Sequence, residues 1–404
     1  MEPERGERLR FADIEIDCAA YEIRKAGALC AVEPQVFDLI LYLARRPDQL
    51  VTKDDLIAGV WGGRIVSDAA LSSRIKSARR VLGDDGQQQR FIRTVHGRGI
   101  RFVGEVEPAP AQRRDGRAAL VGDLRQEIRF CTSADGTRIA YASVGSGPVL
   151  VKAGNWLTHL DYDWESPVWR HWIRDLAADF TLIRYDQRGN GLSDWDAADL
   201  SLDAQLGDLK AVLDAVGQAR VALLGVSQGC AIGAAFAARY PDRISRLALY
   251  GGYARGWARR GDQATLAKRQ ALLTLIAHGW GQDNPAFRQI FSTLFMPGGS
   301  PDQIQWYNEL QRRTASPANA RRISEAFGGL DIRDLLAEIQ APALILHARG
   351  DQAVPFAEGR LLAAGIPGAH FVPLEGDNHL LLEDEPAWPR FLGELRSFLS
   401  ATAG

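Results

Sequence analysis

The sequence predicts two domains, a small α+β domain followed by a larger α/β domain with a mostly parallel sheet. Its 404 residues exceed the roughly 100–200 residues of an ordinary single domain. Residues 105–123 carry two prolines and many charges among small residues, a composition typical of an exposed linker. Beyond them, short apolar runs alternate with helical patterns, as in a parallel sheet covered on both faces. We therefore expect domains at 1–104 and 124–404, joined by a linker at 105–123.

The bulk composition narrows the class of protein. A formal net charge of −2 and 24% charged residues show no whole-chain preference for nucleic acid or membrane. No segment approaches the roughly 20 apolar residues of a membrane span, so we expect a cytoplasmic protein without a membrane partner. The four cysteines, at 18, 30, 131 and 230, form no C-x-x-C pair and predict neither a disulfide framework nor a metal site. The glycine-rich stretches match no phosphate or dinucleotide motif, so no cofactor is predicted.

The first domain concentrates positive charge in one segment. Between residues 64 and 101 there are nine Lys or Arg and three Asp. Within it, "SDAALSSRIKSARRVLGDD" predicts a helix over 68–82, capped by Ser67 or Asp68. Its apolar stripe is Leu71, Ile75, Ala78 and Leu82.

The polar side of this helix is a candidate DNA-binding face. Its candidate contact residues are Ser73, Arg74, Lys76, Ser77 and Arg80. Such a helix fits the major groove, where cations neutralise phosphates and polar side chains reach base edges. A solvated charged surface is the alternative interpretation.

A family resemblance favours DNA binding. "VEPQVFDLILYLARRPDQLVTKDDLIAGVWGG" and the helix above are followed by "RTVHGRGIRFV". Together, over about residues 9–104, they resemble the winged helix-turn-helix domain of bacterial response regulators of the OmpR/PhoB type. The resemblance implies that helix 68–82 is the recognition helix, that "HGRG" is the wing, and that Arg98 contacts the DNA backbone or minor groove. The implied partner is duplex promoter or operator DNA, and we expect no receiver domain ahead of the match.

The second domain carries a candidate nucleophile. Apolar strand-like runs are predicted at 148–154, 180–186, 221–227, 246–252, 342–351 and 370–376. The third run leads into "GVSQG", which places Ser227 between Gly225 and Gly229 before an Ala-rich helix. A strand-to-helix turn of this kind exposes a serine hydroxyl for attack on a carbonyl carbon. A helix N-cap is the alternative role for Ser227.

Two further residues complete a possible Ser-His-Asp set. Asp351 follows one predicted strand and His379 lies in the loop after the next. His379 would act as general base and then acid, and Asp351 would orient its imidazole. Asp377 lies nearer to His379 but is predicted to cap the following helix, whereas His347 and His370 fall within or at the start of strands and suit structural roles.

The expected oxyanion hole needs two backbone donors. One is the N–H of Gln228, and the other is that of Asn155 or Trp156 in "AGNWLTHLDYDW". With "YDQRGNGLSD", these features resemble the α/β-hydrolase superfamily over 128–400, with an esterase-like helical cap at about 253–340. One departure is that Ala153-Gly154 replaces the usual His-Gly pair, which leaves the geometry of the second donor open.

The substrate class is less constrained by the sequence. Seven aromatic residues lie in the oxyanion loop and the cap: Trp156, Trp164, Trp257, Trp280, Phe291, Phe295 and Trp306. They are compatible with an apolar acyl or aromatic pocket, and equally with ordinary packing between helices.

These features together predict a one-component transcriptional regulator. Its α/β-hydrolase domain is expected to bind and hydrolyse a small ester, lactone or related carbonyl compound. One alternative is a receptor that binds a ligand without turnover, and another is a metabolic esterase with an appended interaction module. A homodimer is expected because one winged helix reads only a short DNA site.

Overall fold

The computed structural model describes residues 8–17, 22–25, 28–30, 32, 34–61, 68–95, 97–108, 124–261 and 263–401. The chain forms two compact units, Met1–Asp115 and Gly116–Gly404. Within the described ranges, no helix combines the length and apolar character that a membrane crossing requires.

The first unit combines three helices with two small sheets. Its elements are β1 (Arg8–Phe11), β2 (Ile14–Asp17), β3 (Glu22–Lys25), β4 (Ala28–Cys30), α1 (Pro34–Ala44), β5 (Leu50–Val51), α2 (Lys53–Trp61), α3 (Asp68–Leu82), β6 (Ile92–Val95), β7 (Gly99–Phe102) and β8 (Glu107–Pro108). One sheet has the strand order β4-β3-β2-β1-β8, and the other has the order β5-β7-β6. The antiparallel pair β6 and β7 is the predicted wing hairpin.

Helix α3 packs through the predicted stripe. Leu71, Ala78 and Leu82 are buried, and half-buried Ile75 packs against the same core as Phe37 of α1. The buried stripe of this helix is therefore confirmed. Asp68 is its first helical residue, while the other predicted cap, Ser67, lies outside the described residues.

The first unit extends beyond its predicted end. Glu107 and Pro108 form β8, which pairs with Arg10 and Leu9 of β1. Residues 107–108 were assigned to the linker because prolines and charges resemble loop composition, yet proline is tolerated on an edge strand such as this one. Residues 109–123 of the predicted linker lie outside the described ranges.

The second unit is built on one eight-stranded sheet. Its strands are β9 (Glu127–Thr132), β10 (Arg138–Val144), β11 (Val149–Lys152), β12 (Thr181–Tyr185), β13 (Val221–Val226), β14 (Ile244–Tyr250), β15 (Ala343–Ala348) and β16 (His370–Leu374). Its helices are α4 (Arg170–Ala177), α5 (Leu202–Ala215), α6 (Gln228–Arg239), α7 (Gln263–Gly279), α8 (Ala286–Phe295), α9 (Pro301–Thr314), α10 (Pro317–Gly328), α11 (Phe356–Gly365) and α12 (Ala387–Ser400).

The sheet confirms the predicted parallel strands and adds an antiparallel pair. Its order is β16-β15-β14-β13-β11-β12-β10-β9, with β11 to β16 parallel to one another. Strands β10 and β9 run antiparallel at one edge. Alternate residues of the central strands face opposite layers: Leu223 packs among α5, α6 and α11, and Leu224 packs among α4 and α12. The carboxyl ends of β13, β15 and β16 therefore meet at one edge, where α/β proteins bind ligands.

The segment between β14 and β15 is helical. It contains α7 to α10 and two short 3-10 helices, Trp257–Arg259 and Arg333–Glu338. This is the stretch in which the sequence predicts a helical cap.

The turn after α3 depends on one buried carboxylate. Asp84 accepts hydrogen bonds from the backbone N–H groups of Asp85, Arg90, Phe91 and Ile92 at 2.8–3.0 Å. Burial raises the pKa of Asp84, but these four donors outweigh it and hold the pKa below its ordinary value. The carboxylate thereby fixes the connection from α3 to β6.

We expect Asp84→Asn to destabilise the first unit by about 2 kcal/mol, because an amide cannot accept all four bonds as an anion does. Because the folded pKa is depressed, the stabilisation is present above the unfolded pKa and is lost as pH falls through the folded value. Hydrogen exchange of the Phe91 and Ile92 amides in the intact protein measures this change. Asp54→Asn, at an exposed position of α2, is the control, and equal protection in both variants would contradict the assignment.

Candidate active site and DNA-binding face

Ser227 lies at the sharp turn between β13 and α6. Its backbone has φ 53° and ψ −120°, a left-handed conformation that a residue with a side chain rarely adopts. The Ser227 N–H donates to Tyr250 O at 2.9 Å, and Ser227 O accepts from Cys230 N at 3.0 Å. The adjacent strand β14 and the following helix α6 thus hold Ser227 in a strained conformation. Ser227 does not cap α6 through its side chain.

Close backbone approach requires glycine at position 225 and leaves little room for a side chain at position 229. A Cβ on Gly225 would lie 2.7 Å from Cys230 Cα, which no real side chain tolerates. A Cβ on Gly229 would lie 3.0 Å from Gly154 O, in the loop after β11. Glycine at these positions lets the helix start and the loop close around the serine.

The structure brings Ser227, His379 and Asp351 together. His379 Nε2 lies 2.7 Å from Ser227 Oγ, and His379 Nδ1 lies 2.6 Å from Asp351 Oδ2. His379 is 1% exposed and the Asp351 side chain is fully buried. Both distances are those of hydrogen bonds, so the three side chains form one continuous chain.

Asp351 is itself held by its surroundings. Its Oδ1 accepts from the N–H groups of Ala353 and Val354, both at 2.8 Å. His347 Nε2 lies 3.0 Å from Val354 O, which requires a proton on this nitrogen, and 3.5 Å from Asp351 Oδ2. Burial lowers the pKa of His347, so it stays neutral. His347 thus has the structural role that the sequence predicts for it.

The predicted capping role of Asp377 is wrong. Helix α12 begins at Ala387, its N-cap position is Pro386, and no side chain caps it. A loop of several residues separates Asp377 from the helix, and the apolar run that follows His379 belongs to this loop. Exposed His370 begins β16 as predicted.

The loop after β11 lies beside the first turn of α6. Gln187 accepts from Gln228 Nε2 through its side-chain oxygen and donates to Asn155 O, both at 3.0 Å. Trp156, rather than Asn155, is among the residues that line the cavity at Ser227. The Asn155 side chain instead accepts from Lys152 Nζ and donates to Trp156 O.

A buried polar cluster supports this loop from behind. Lys152, Asp163 and Arg184 are at most 7% exposed, and Arg184 lies 3.8 Å from Asp163. Burial lowers the pKa of Lys152 and raises that of Asp163. The cluster places a hydrogen-bond donor under Asn155 and so fixes the side chain of the loop residue next to Trp156.

A cavity of about 80 Å³ opens onto Ser227 and His379. Four of the seven aromatic residues singled out in the sequence line it: Trp156, Trp257, Phe291 and Phe295. The apolar core on the α4 and α12 side of the sheet contains the other three: Trp164, Trp280 and Trp306. The pocket interpretation therefore holds for the first four aromatic residues, and the packing interpretation holds for the other three. Tyr253, Arg260 and Arg269 also line the cavity, and no motif in the sequence points to them.

Residues of the helical segment hold the His379 loop. Phe295 O, at the end of α8, accepts from His379 N at 2.9 Å and from Leu380 N at 3.2 Å. Asn378 Oδ1 accepts from Gly298 N at 2.8 Å, and its Nδ2 donates to Glu385 at 3.0 Å. Asn378 was missed by sequence reasoning because its partner lies 80 residues away.

The candidate DNA-binding residues lie on α3 and in the wing. Ser73, Lys76 and Arg80 are exposed, and Arg74 and Ser77 are half-buried. Arg98 is exposed in the turn between β6 and β7, while His96 of "HGRG" lies outside the described residues. On α3, the exposed Ser73, Lys76 and Arg80 lie on the side opposite the buried stripe of Leu71, Ala78 and Leu82.

Arg79 has a structural role, unlike the candidate DNA-contacting residues beside it on α3. Its guanidinium donates to Ile92 O at 2.8 and 3.1 Å and to Thr94 Oγ1 at 2.9 Å. These bonds connect α3 to β6, so Arg79 holds the wing strand against the helix.

Comparisons with known proteins assign both units. The model of the alpha/beta hydrolase fold family matches residues 158–386, and the model of the C-terminal domain of transcriptional regulatory proteins matches residues 27–102. The RutD protein of Azorhizobium caulinodans is 29% identical over 246 residues, which cover 59% of this chain and 87% of RutD. An esterase from Exiguobacterium antarcticum superposes with a TM-score of 0.57 and 25% identity, over 67% of this chain and 99% of the esterase.

The first unit has its own relatives. The DNA-binding response regulator MtrA of Mycolicibacterium smegmatis is 34% identical over 101 residues, which cover 25% of this chain. The match spans 44% of the length of MtrA, so it concerns the DNA-binding domain and not the whole regulator. The chain therefore belongs to the alpha/beta hydrolase fold family and carries, ahead of its hydrolase domain, a winged-helix DNA-binding domain of the OmpR/PhoB type.

Proposed function

We propose that this protein is a DNA-binding regulator whose hydrolase domain binds and hydrolyses a small ester, lactone or related carbonyl compound. The observation that carries the proposal is the hydrogen-bonded chain from Ser227 through His379 to Asp351 at the floor of a cavity. Its geometry matches the order of roles in Ser-His-Asp hydrolysis.

In the proposed reaction, His379 Nε2 removes the proton of Ser227 Oγ as this oxygen attacks the carbonyl carbon. The tetrahedral intermediate collapses to an acyl-enzyme, and His379 returns the proton to the departing alcohol. Water then attacks the acyl-enzyme by the same route and releases the acid and free Ser227. Asp351 stabilises the imidazolium and keeps the Nδ1 proton directed toward itself.

The developing oxyanion is assigned to backbone donors at the start of α6 and in the loop after β11. Gln228 N is the first donor, since it directly follows the nucleophile at a helix N-terminus. Trp156 N is favoured over Asn155 N as the second, because Trp156 lines the cavity. The Gln228–Gln187–Asn155 hydrogen bonds would keep these two segments at a fixed separation.

Two alternatives use the same architecture. A receptor would bind a ligand in this cavity without turnover, and a metabolic esterase would use the first unit only for protein contacts. The Ser227–His379 distance of 2.7 Å supports catalysis over binding alone. The exposed Lys76 and Arg80 support DNA contact over a purely structural module.

For regulation, the proposal places the protein as a homodimer in the cytoplasm. Each winged helix would contact one half-site through α3, with Lys76, Arg80 and Arg98 at phosphates and Ser73, Arg74 and Ser77 near base edges. Ligand occupancy of the hydrolase cavity would then change operator affinity.

The nucleophile is tested by covalent labelling. A fluorophosphonate should form one adduct with the folded wild-type protein, because activated serines displace its fluoride. Ser227→Ala should abolish the adduct, and His379→Gln should slow labelling by about 100-fold or more. Intact-protein mass spectrometry measures both results.

Ser324→Ala is the matched control, since Ser324 also lines the cavity but has no histidine partner in the proposed mechanism. It should label at the wild-type rate. A folded wild-type protein that stays unlabelled would favour the receptor alternative.

The DNA-binding face is tested by salt dependence. Lys76→Ala and Arg80→Ala should each reduce the slope of log affinity against log salt by about one unit, because each removes one phosphate contact. Fluorescence anisotropy with duplex DNA that flanks the protein's own gene provides the measurement. Arg10→Ala, on strand β1 beside Glu15, should leave the slope unchanged, and identical slopes in all variants would exclude α3 as the recognition helix.

A further inference from the structure

Two arginines line the cavity that contains Ser227. Arg260 follows the first 3-10 helix of the segment between β14 and β15, and Arg269 lies on α7. The Arg260 side chain is only 9% exposed, and Arg269 is half-buried. Guanidinium groups keep their charge in proteins, so this apolar cavity contains two fixed cations.

These cations are incompletely neutralised by the surrounding protein. Arg260 Nε lies 3.9 Å from Glu358, but Glu358 is already 3.1 Å from Arg255. Arg269 donates to the carbonyl oxygen of Ala353 at 2.7 Å, and among the residues that the structure describes it makes no ion pair with a carboxylate. Arg255 and Arg260 therefore share Glu358, whose single negative charge offsets only one of their two positive charges.

The remaining acidic groups nearby do not supply the missing charge. Asp351 is engaged by His379 and by two backbone N–H groups. Burial raises the pKa of Tyr253 to about 12, so its phenol stays neutral beneath Arg260, whose guanidinium carbon lies 5.4 Å from the ring centre. Burial, and then repulsion from Arg260, lowers the pKa of Arg269. An anion in the cavity would relieve this repulsion.

The other cavity walls are aromatic. Trp156, Trp257, Phe291, Phe295 and Phe327 line the space that Arg260 and Arg269 share with Ser227. A ligand that complements both the aromatic residues and the two arginines has an apolar body and one anionic group. The planar fork of a guanidinium matches a carboxylate with two parallel hydrogen bonds.

We propose that the substrate is an ester or lactone that carries a carboxylate, with Arg260 and Arg269 binding the carboxylate while Ser227 attacks the carbonyl carbon. This inference rests on the proposed function for its chemical step. The carbonyl–oxygen single bond breaks and one water is consumed, so an ester yields an acid and an alcohol, and a lactone yields a hydroxy acid. The carboxylate stays intact throughout and serves only for binding.

The test compares two esters that differ only in this charge. Mono(4-nitrophenyl) glutarate and 4-nitrophenyl pentanoate have acyl chains of equal length and the same leaving group. We expect wild-type kcat/KM to favour the glutarate ester by roughly ten-fold or more, because hydrogen bonds to charged groups are worth at least that factor. Arg260→Gln and Arg269→Gln should each reduce this preference ratio by about ten-fold, chiefly through KM for the glutarate ester.

Arg259→Gln is the matched control. Arg259 is an exposed neighbour of Arg260 that donates to the carbonyl oxygen of Gly329 at 3.0 Å, much as Arg269 donates to that of Ala353. It does not line the cavity, so the preference ratio should remain that of the wild type.

A binding measurement separates this inference from the proposed hydrolysis. 5-Oxohexanoate and 2-hexanone are a matched pair of unreactive ketones, and their binding can be followed by tryptophan fluorescence because Trp156 and Trp257 line the cavity. The wild type and Ser227→Ala should both bind the oxohexanoate more tightly, and the arginine variants should lose this preference.

The possible outcomes distinguish the anion site from the proposed hydrolysis. Arginine-dependent binding of 5-oxohexanoate without hydrolysis of either ester would support the anion site and overturn the proposed hydrolysis. Equal hydrolysis of both esters by the wild type would overturn the anion site and leave hydrolysis standing. Absence of both hydrolysis and selective binding would overturn both.

Discussion

The geometry of the candidate active site depends on the left-handed backbone conformation of Ser227. A left-handed conformation at a residue with a side chain costs of order 1–3 kcal/mol and persists only where neighbours enforce it. Here β14 and the first turn of α6 supply that enforcement through Tyr250 O and Cys230 N. The conformation ends a parallel strand and starts a helix within one residue. It therefore directs the Ser227 hydroxyl toward the edge of the sheet, where the loops after β15 and β16 place Asp351 and His379.

The helices between β14 and β15 contribute to the site as well as covering it. Phe295 O and Gly298 N hold the His379 loop, and Arg269 holds the Asp351 loop through Ala353 O. The residues that would sense a ligand therefore contact the same loops that position the proposed base and its partner. A ligand that draws Arg269 toward itself would act on the Asp351 loop through this single hydrogen bond.

Sequence reasoning succeeded where local chemistry dictates structure. The turn at Ser227, the parallel strands from β11 to β16 and the stripe of α3 follow from residue types at short spacing. Strand-end positions placed Asp351 and His379 without knowledge of the contact between them. Strands β9 and β10 were missed as a separate antiparallel pair, because an edge strand whose outward side chains include exposed Phe130 lacks a clear alternation of polar and apolar residues.

The sequence could not reveal interactions between distant segments. Gln187 acts through Gln228, 41 residues later, and Asn378 acts through Gly298. Arg260 and Arg269 belong to no motif, and only the folded structure shows that both line the cavity. Asp377 was misassigned because the apolar residues after His379, beginning with Leu380, have a helix-like pattern. Helix α12 instead begins after Pro386.

The proposed regulation requires that occupancy of the hydrolase cavity changes DNA affinity. Ser227→Ala protein, saturated with 5-oxohexanoate as verified by tryptophan fluorescence, allows binding without turnover. Its affinity for operator DNA should differ from that of the ligand-free protein by about 5-fold to 150-fold, the range of typical coupling energies, and DNA should shift ligand affinity by the same factor. Equal DNA affinity at verified saturation would rule out regulation by this cavity and leave two tethered domains that work independently.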